Sequence, residues 1–68
     1  SGENAVAQTL NKNAGKKVTL KLASGVEIKG KIASVGDLAV RVSELEGQEF
    51  YDAWVRLDDI AAIIVRVK

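Results

Sequence analysis

Lys17, Lys21, Lys29 and Lys31 recur at even spacing along two segments joined by a short turn. In an extended chain, side chains two or four positions apart share a face. The four ammonium groups would therefore line one side of a sheet, where they could hold phosphates in a salt-sensitive way. The alternation, interleaved with Thr19 and Glu27, equally describes an ordinary solvated face. Arg56 adds a guanidinium able to stack on a flat ring or contact a phosphate. Glu44, Glu46 and Glu49 crowd acid into one turn, either a solvated hairpin tip or a surface that repels polyanions. If both charge clusters were real features, the assembled protein would have chemically different faces.

Other chemistries lack their parts. The chain has no Cys and no His, so disulfides, the usual zinc ligands and the common nucleophile–base pairs are missing. Gly15-Lys16-Lys17 is not a phosphate loop, because Leu10 stands where the leading glycine belongs and no Ser or Thr follows the lysine as required. Asp58 and Asp59 are adjacent and need not face each other, so they read as turn residues accepting backbone N–H bonds rather than as a metal or paired-carboxylate site. The expectation is a binding protein, not an enzyme, with no cofactor and no small-molecule substrate.

The elements that must position these groups follow from periodicity. Val6 and Leu10 share a helical face with Ala7 between them, giving a helix over residues 3–13 capped by Ser1 or Asn4 and stopped by Asn13 and Gly15. Ser1 and Gly2 read as a tag remnant. From Lys17 the period becomes two, and Val18, Leu20 and Leu22 face inward. Ser24-Gly25 is a two-residue hairpin turn, after which Val26, Ile28, Gly30 and Ile32 face inward. Gly30, in mid-strand, marks a bend or a close backbone approach. Gly36-Asp37 turns the chain into a third strand with Leu38, Val40 and Val42 inward and Ala39, Arg41 and Ser43 outward. Glu46-Gly47-Gln48 turns it again into a fourth strand over Phe50–Leu57, which holds all three aromatics, Phe50, Tyr51 and Trp54. Leu57-Asp58-Asp59 is a corner before a last strand over Ile60–Val67.

The run Ile60-Ala61-Ala62-Ile63-Ile64-Val65 is apolar on both faces and carries neither charge nor proline. Left open, such an edge invites pairing with another chain. A single closed barrel could pair both its sides. The reading preferred here is that its free side pairs with a second copy, because a 68-residue chain buries little apolar surface and has no crosslink or metal to help it. The interface residues expected on this basis are Tyr51, Trp54, Val55, Ile60, Ala62 and Ile64. The net charge of +1 gives no global attraction to nucleic acid or membrane, and no apolar stretch approaches membrane-spanning length, so a cytoplasmic location is expected.

Gly15-Lys16-Lys17-Val18-Thr19-Leu20-Lys21-Leu22 with Ser24-Gly25, Glu27 and Gly30 resembles the first motif of the Sm and Sm-like (LSm) proteins, the Hfq type included. Val55-Arg56-Leu57-Asp58-Asp59-Ile60, followed by Ile63, resembles their second motif. The likeness spans nearly the whole chain as a single domain, with sheet over residues 16–68. It implies a mainly β fold: a short N-terminal helix on a strongly bent five-stranded antiparallel sheet, an SH3-type small barrel. It further implies rings, often of six or seven subunits, in which the fourth strand of one subunit pairs with the fifth strand of the next and RNA binds near the pore.

Mapped onto the family pattern, Asp37 matches the acid of the base-pocket loop if one position is deleted, Leu38 takes the place of the flat stacking residue, and Ala39 takes that of the base-reading Asn. Without the gap, Val40 falls at the Asn position. Neither can hydrogen-bond a base edge, so weak or altered base selectivity is expected. Arg56 matches the second-motif Arg, but Leu57 replaces the Gly that follows it and narrows the room for a nucleotide. The resemblance thus assigns RNA contacts to Asp37, Leu38, Ala39, Arg56 and the four lysines. The alternative is a structural or protein-interaction ring that has lost RNA binding.

Overall fold

The computed structural model describes residues 2–68, with side chains from Ala5 onward. A helix, α1 (Gly2–Lys12), precedes five strands: β1 (Lys17–Leu22), β2 (Glu27–Val35), β3 (Ala39–Ser43), β4 (Ala53–Arg56) and β5 (Ile60–Val65). A short 3-10 turn, Leu57–Asp59, links β4 to β5 and forms the expected corner. The strands make one antiparallel sheet in the order β4-β3-β2-β1-β5.

The helix buries Leu10 and half-buries Val6 and Ala7, the face its spacing predicted. It ends where Asn13 bonds back to the Leu10 carbonyl and Gly15 takes a φ of 83°. The cap from Ser1 and the tag reading of Ser1 fall outside the described residues; Asn4 lies within the helix, which begins at Gly2, and so is not its N-cap.

The long strand β2 gives the sheet its curl. Glu27–Lys31 pair with β1, and Lys31–Val35 pair with β3. The change of partner is accompanied by a register shift between Ile32 and Ser34 and by the crossing of Gly30 under β3. A Cβ on Gly30 would lie 2.6 Å from Val42 Cγ1 and 2.8 Å from the Ser43 carbonyl oxygen. The close approach that the mid-strand glycine suggested is therefore real.

The core consists of Leu10, Val18, Leu20, Ile32, Val40, Val42, Leu45, Val55 and Leu57. Every described element except β5 contributes to it, together with Leu45 from the β3–β4 turn. The apolar residues of β5 are half-buried or exposed. Strand alternation put the inward faces of β1 and β3 in the right place, but Leu45 was missed because it follows the end of β3.

Several details differ from expectation. The first hairpin has a three-residue loop rather than two: the Leu22 N–H donates to the Val26 carbonyl at 2.8 Å, and Gly25 has a φ of 93°. Val26 thus closes the exposed tip instead of entering the core. Leu38 precedes β3 and is 82% exposed, because a tight turn closed by the Gly36 N–H and the Ala39 carbonyl ends the alternation there. β4 is only Ala53–Arg56 and β5 stops at Val65. Phe50 and Tyr51 lie in the preceding loop, so the three aromatics do not share a strand.

Candidate nucleic-acid interface and open sheet edges

Two loops far apart in sequence meet at one end of the sheet. The Gly36–Leu38 bend leads into β3, and the 3-10 turn follows β4; β3 and β4 are paired, with Ala39 opposite Arg56. The Leu57 N–H donates to the Leu38 carbonyl oxygen at 2.9 Å and clamps the loops together. Between them is a cavity of about 220 Å³ lined by Asp37, Leu38, Arg56, Leu57 and Asp58. Of the residues expected to contact RNA, Asp37, Leu38 and Arg56 converge here. Ala39 is half-buried within β3 and is not part of the lining.

The chemistry of this cavity is specific. Leu57 is buried and makes an apolar floor, while exposed Leu38 offers an apolar wall. Arg56 Nη2 donates to Asp58 Oδ2 at 3.0 Å, which orients the guanidinium and leaves most of its N–H groups for a ligand. Asp58 thus accepts from the Arg56 side chain, not from the turn backbone as expected. Asp37 has no side-chain partner among the described residues.

The lysines do not form a free basic patch. Lys29 Nζ lies 3.8 Å from Glu46 Oε2, and Lys31 Nζ lies 3.4 Å from Glu44 Oε2. The acidic turn folds back over β2, held by the Glu46 N–H donating to the Lys29 carbonyl at 3.0 Å. Two lysines and two glutamates of the clusters that sequence alone treated as separate faces therefore pair on one face. Lys17 and Lys21 carry no ion pair among the described residues, and they lie on β1 away from the cavity lined by Arg56.

The sheet ends in two open edges. β4 pairs only with β3, and β5 only with β1, among the described residues. The outcome in which β5 is paired on both sides within one chain is not what the chain adopts. Five of the seven exposed large hydrophobics, Phe50, Tyr51, Trp54, Ile64 and Val67, lie on or beside these edge strands. Trp54 projects outward beside Arg41, whose guanidinium carbon is 5.9 Å from the ring centroid and whose Nη1 pairs with Asp52 at 3.2 Å. Of the expected interface residues, Tyr51, Trp54, Ala62 and Ile64 are exposed and Ile60 is half-buried. Val55 is the correction: its side chain belongs to the subunit core, so it can offer a neighbour only backbone groups. No helix among the described residues is long and apolar enough to cross a membrane.

No protein-family profile matches the sequence, and no curated protein matches it either. The solved structures do provide a match. The chain is similar to the SmAP (LSm) protein from Methanococcus vannielii, with a TM-score of 0.70 at 24% identity, over 85% of this chain and 91% of that one. The fold is therefore the Sm fold: one N-terminal helix and a five-stranded antiparallel sheet.

Proposed function

We propose that this chain is a subunit of an Sm-like ring that binds RNA at the cavity between the Gly36–Leu38 bend and the Leu57–Asp59 turn. The single observation that carries this reading is the convergence of Asp37, Leu38 and Arg56 in one cavity of a sheet whose two edges are unpaired. The likeness to an SmAP (LSm) protein supports it. In the ring, β4 of one subunit adds to β5 of the next, so edge hydrogen bonds and exposed apolar side chains are satisfied together. Arg56 supplies phosphate contact or stacking, Leu38 packs on a base, and Asp37 accepts from a base edge. Catalysis has no part in this reading, and the setting is cytoplasmic.

Native mass spectrometry with and without a short oligoribonucleotide tests assembly and binding together. A ring mass that rises by one or more oligonucleotides is expected; a monomer that gains nothing would overturn the proposal. Arg56→Ala is expected to weaken binding by about tenfold or more, the scale of a charge-assisted contact. Lys68→Ala, at an exposed position outside the strands, is expected to change it little. Equal losses in a fluorescence titration would count against the cavity.

A second reading, a scaffold or protein-interaction ring without RNA binding, is favoured by one observation: Glu44, Glu46 and Asp58 already occupy Lys31, Lys29 and Arg56. The double substitution Glu44→Gln, Glu46→Gln separates the two. Exposed pairs of this kind contribute about 0–1 kcal/mol each, so stability should change little. If RNA is the ligand, freeing two lysines should raise affinity and steepen the log–log salt dependence by up to about 1.4, or about 0.7 per added phosphate contact on a single strand. An RNA-independent scaffold would show no such change.

A further inference from the structure

We infer that the cavity prefers guanine over uracil, with Asp37 as the residue that sets the preference. The inference rests on the RNA-binding reading of the same cavity. Its lining offers two carboxylates, one guanidinium and two leucines, and no side-chain amide or hydroxyl. A carboxylate only accepts hydrogen bonds, through two oxygens, and a guanidinium only donates.

Uracil presents acceptor, donor, acceptor along its pairing edge. Against Asp37 it would place two carbonyl oxygens beside a carboxylate and gain a single N–H bond. Guanine presents N1–H and N2–H side by side, two parallel donors that match the two oxygens of one carboxylate. Its O6 and N7 are adjacent acceptors, the pair that arginine contacts bidentately. It can therefore use the unpartnered Asp37 and the remaining donors of Arg56 together. Adenine and cytosine each offer one amino group and satisfy only part of this set.

Size and surface agree. About 220 Å³ is below the range of pockets that enclose drug-sized ligands, about 300 Å³ and up, and suits one flat ring system. Leu38 provides the apolar contact for its face. Asp58, bonded to Arg56, holds the guanidinium at the cavity and serves as a positioning residue.

The test is fluorescence anisotropy of the assembled protein with labelled nonauridylate, and with the same oligomer carrying one central G, A, C or inosine. The G oligomer is expected to bind about tenfold more tightly than nonauridylate, the lower end for a bidentate contact because the site is open to water. Inosine keeps O6, N7 and N1–H but lacks the 2-amino group, so it should fall between them. Asp37→Asn replaces one of the two paired acceptor oxygens with a donor at an exposed position and should bring the G-to-U ratio close to one, chiefly by weakening the G oligomer. Binding of all oligomers with equal affinity, or a preference for G that survives Asp37→Asn, would overturn the guanine assignment and leave RNA binding standing. Failure to bind any of them would overturn both.

Discussion

Gly30→Ala is expected to lower the melting temperature by about 10–20 °C. Gly30 is where β2 passes beneath β3, and a methyl group there would sit 2.6 Å from Val42 Cγ1, 2.8 Å from the Ser43 carbonyl oxygen and 3.1 Å from Leu45 Cδ2. A rotamer change can relieve the first or third contact. It cannot relieve the second, because Ser43 O belongs to the backbone of a central strand. The sheet must then open at its sharpest bend, and overpacking of this kind costs about 2–3 kcal/mol. For a domain of this size each kcal/mol moves the melting temperature by about 4–8 °C. Thermal unfolding of both proteins at one concentration measures it, since the proposed assembly would make the midpoint concentration-dependent. Gly36→Ala, whose added Cβ would meet only the Ala39 carbonyl oxygen at 3.2 Å, is expected to cost clearly less. Equal midpoints for wild type and Gly30→Ala would show that the bend is not the constraint argued here.

Ile64→Lys is expected to reduce the proposed ring to single chains with the subunit fold intact. Ile64 lies mid-strand on β5 and is 53% exposed in the subunit, so a lysine there can reach water and disturbs the chain little. On an edge that adds to a second copy, the same ammonium would be forced beside the partner's apolar side chains, with Trp54 the largest exposed one on β4. Edge lysines block strand addition for this reason. Light scattering should report the monomer mass while the circular dichroism spectrum stays that of the wild type. An unchanged mass would remove β5 from the interface. Loss of both mass and spectrum would mean that the subunit does not stand without its neighbours.

Much of the fold was legible because its signals are local. The helix face of Val6 and Leu10, the inward Val18 and Leu20, and the inward Val40 and Val42 are set by repeat distances of 3.6 and two residues. Gly30 was legible because a mid-strand glycine between Ile28 and Ile32 on the inward face needs a reason. Leu38 was misjudged because alternation was counted through a turn, and a turn resets which way the next residue points. β4 was drawn too long because Phe50 and Tyr51 have high strand propensity, yet the Tyr51 N–H is taken by the Gln48 carbonyl in the turn. Val55 was placed at an interface by its neighbours, whereas its own parity puts it in the core.

The candidate site divides in the same way. Residue type allowed Arg56 to be named, while Asp37 and Leu38 entered only through the resemblance to the Sm-like pattern, which assigned all three a shared task. That they line one cavity depends on β3 pairing with β4 and on the Leu57–Leu38 hydrogen bond, neither of which is a property of either segment alone. The lysines are the reverse case. Their common face was correctly read, but Glu44 and Glu46 arrive on that face only because the turn after β3 folds back over the bend at Gly30.

By itself the sequence determined the helix, the strand faces, the bend and an apolar last strand in need of a mate, since each follows from the sterics and periodicity of neighbouring residues. Only the tertiary structure decided which charges cancel, which loops form a cavity and which edges stay open. Those outcomes depend on contacts between distant segments, and charge and hydrogen-bonding energies act over a few ångströms of space whatever the separation along the chain.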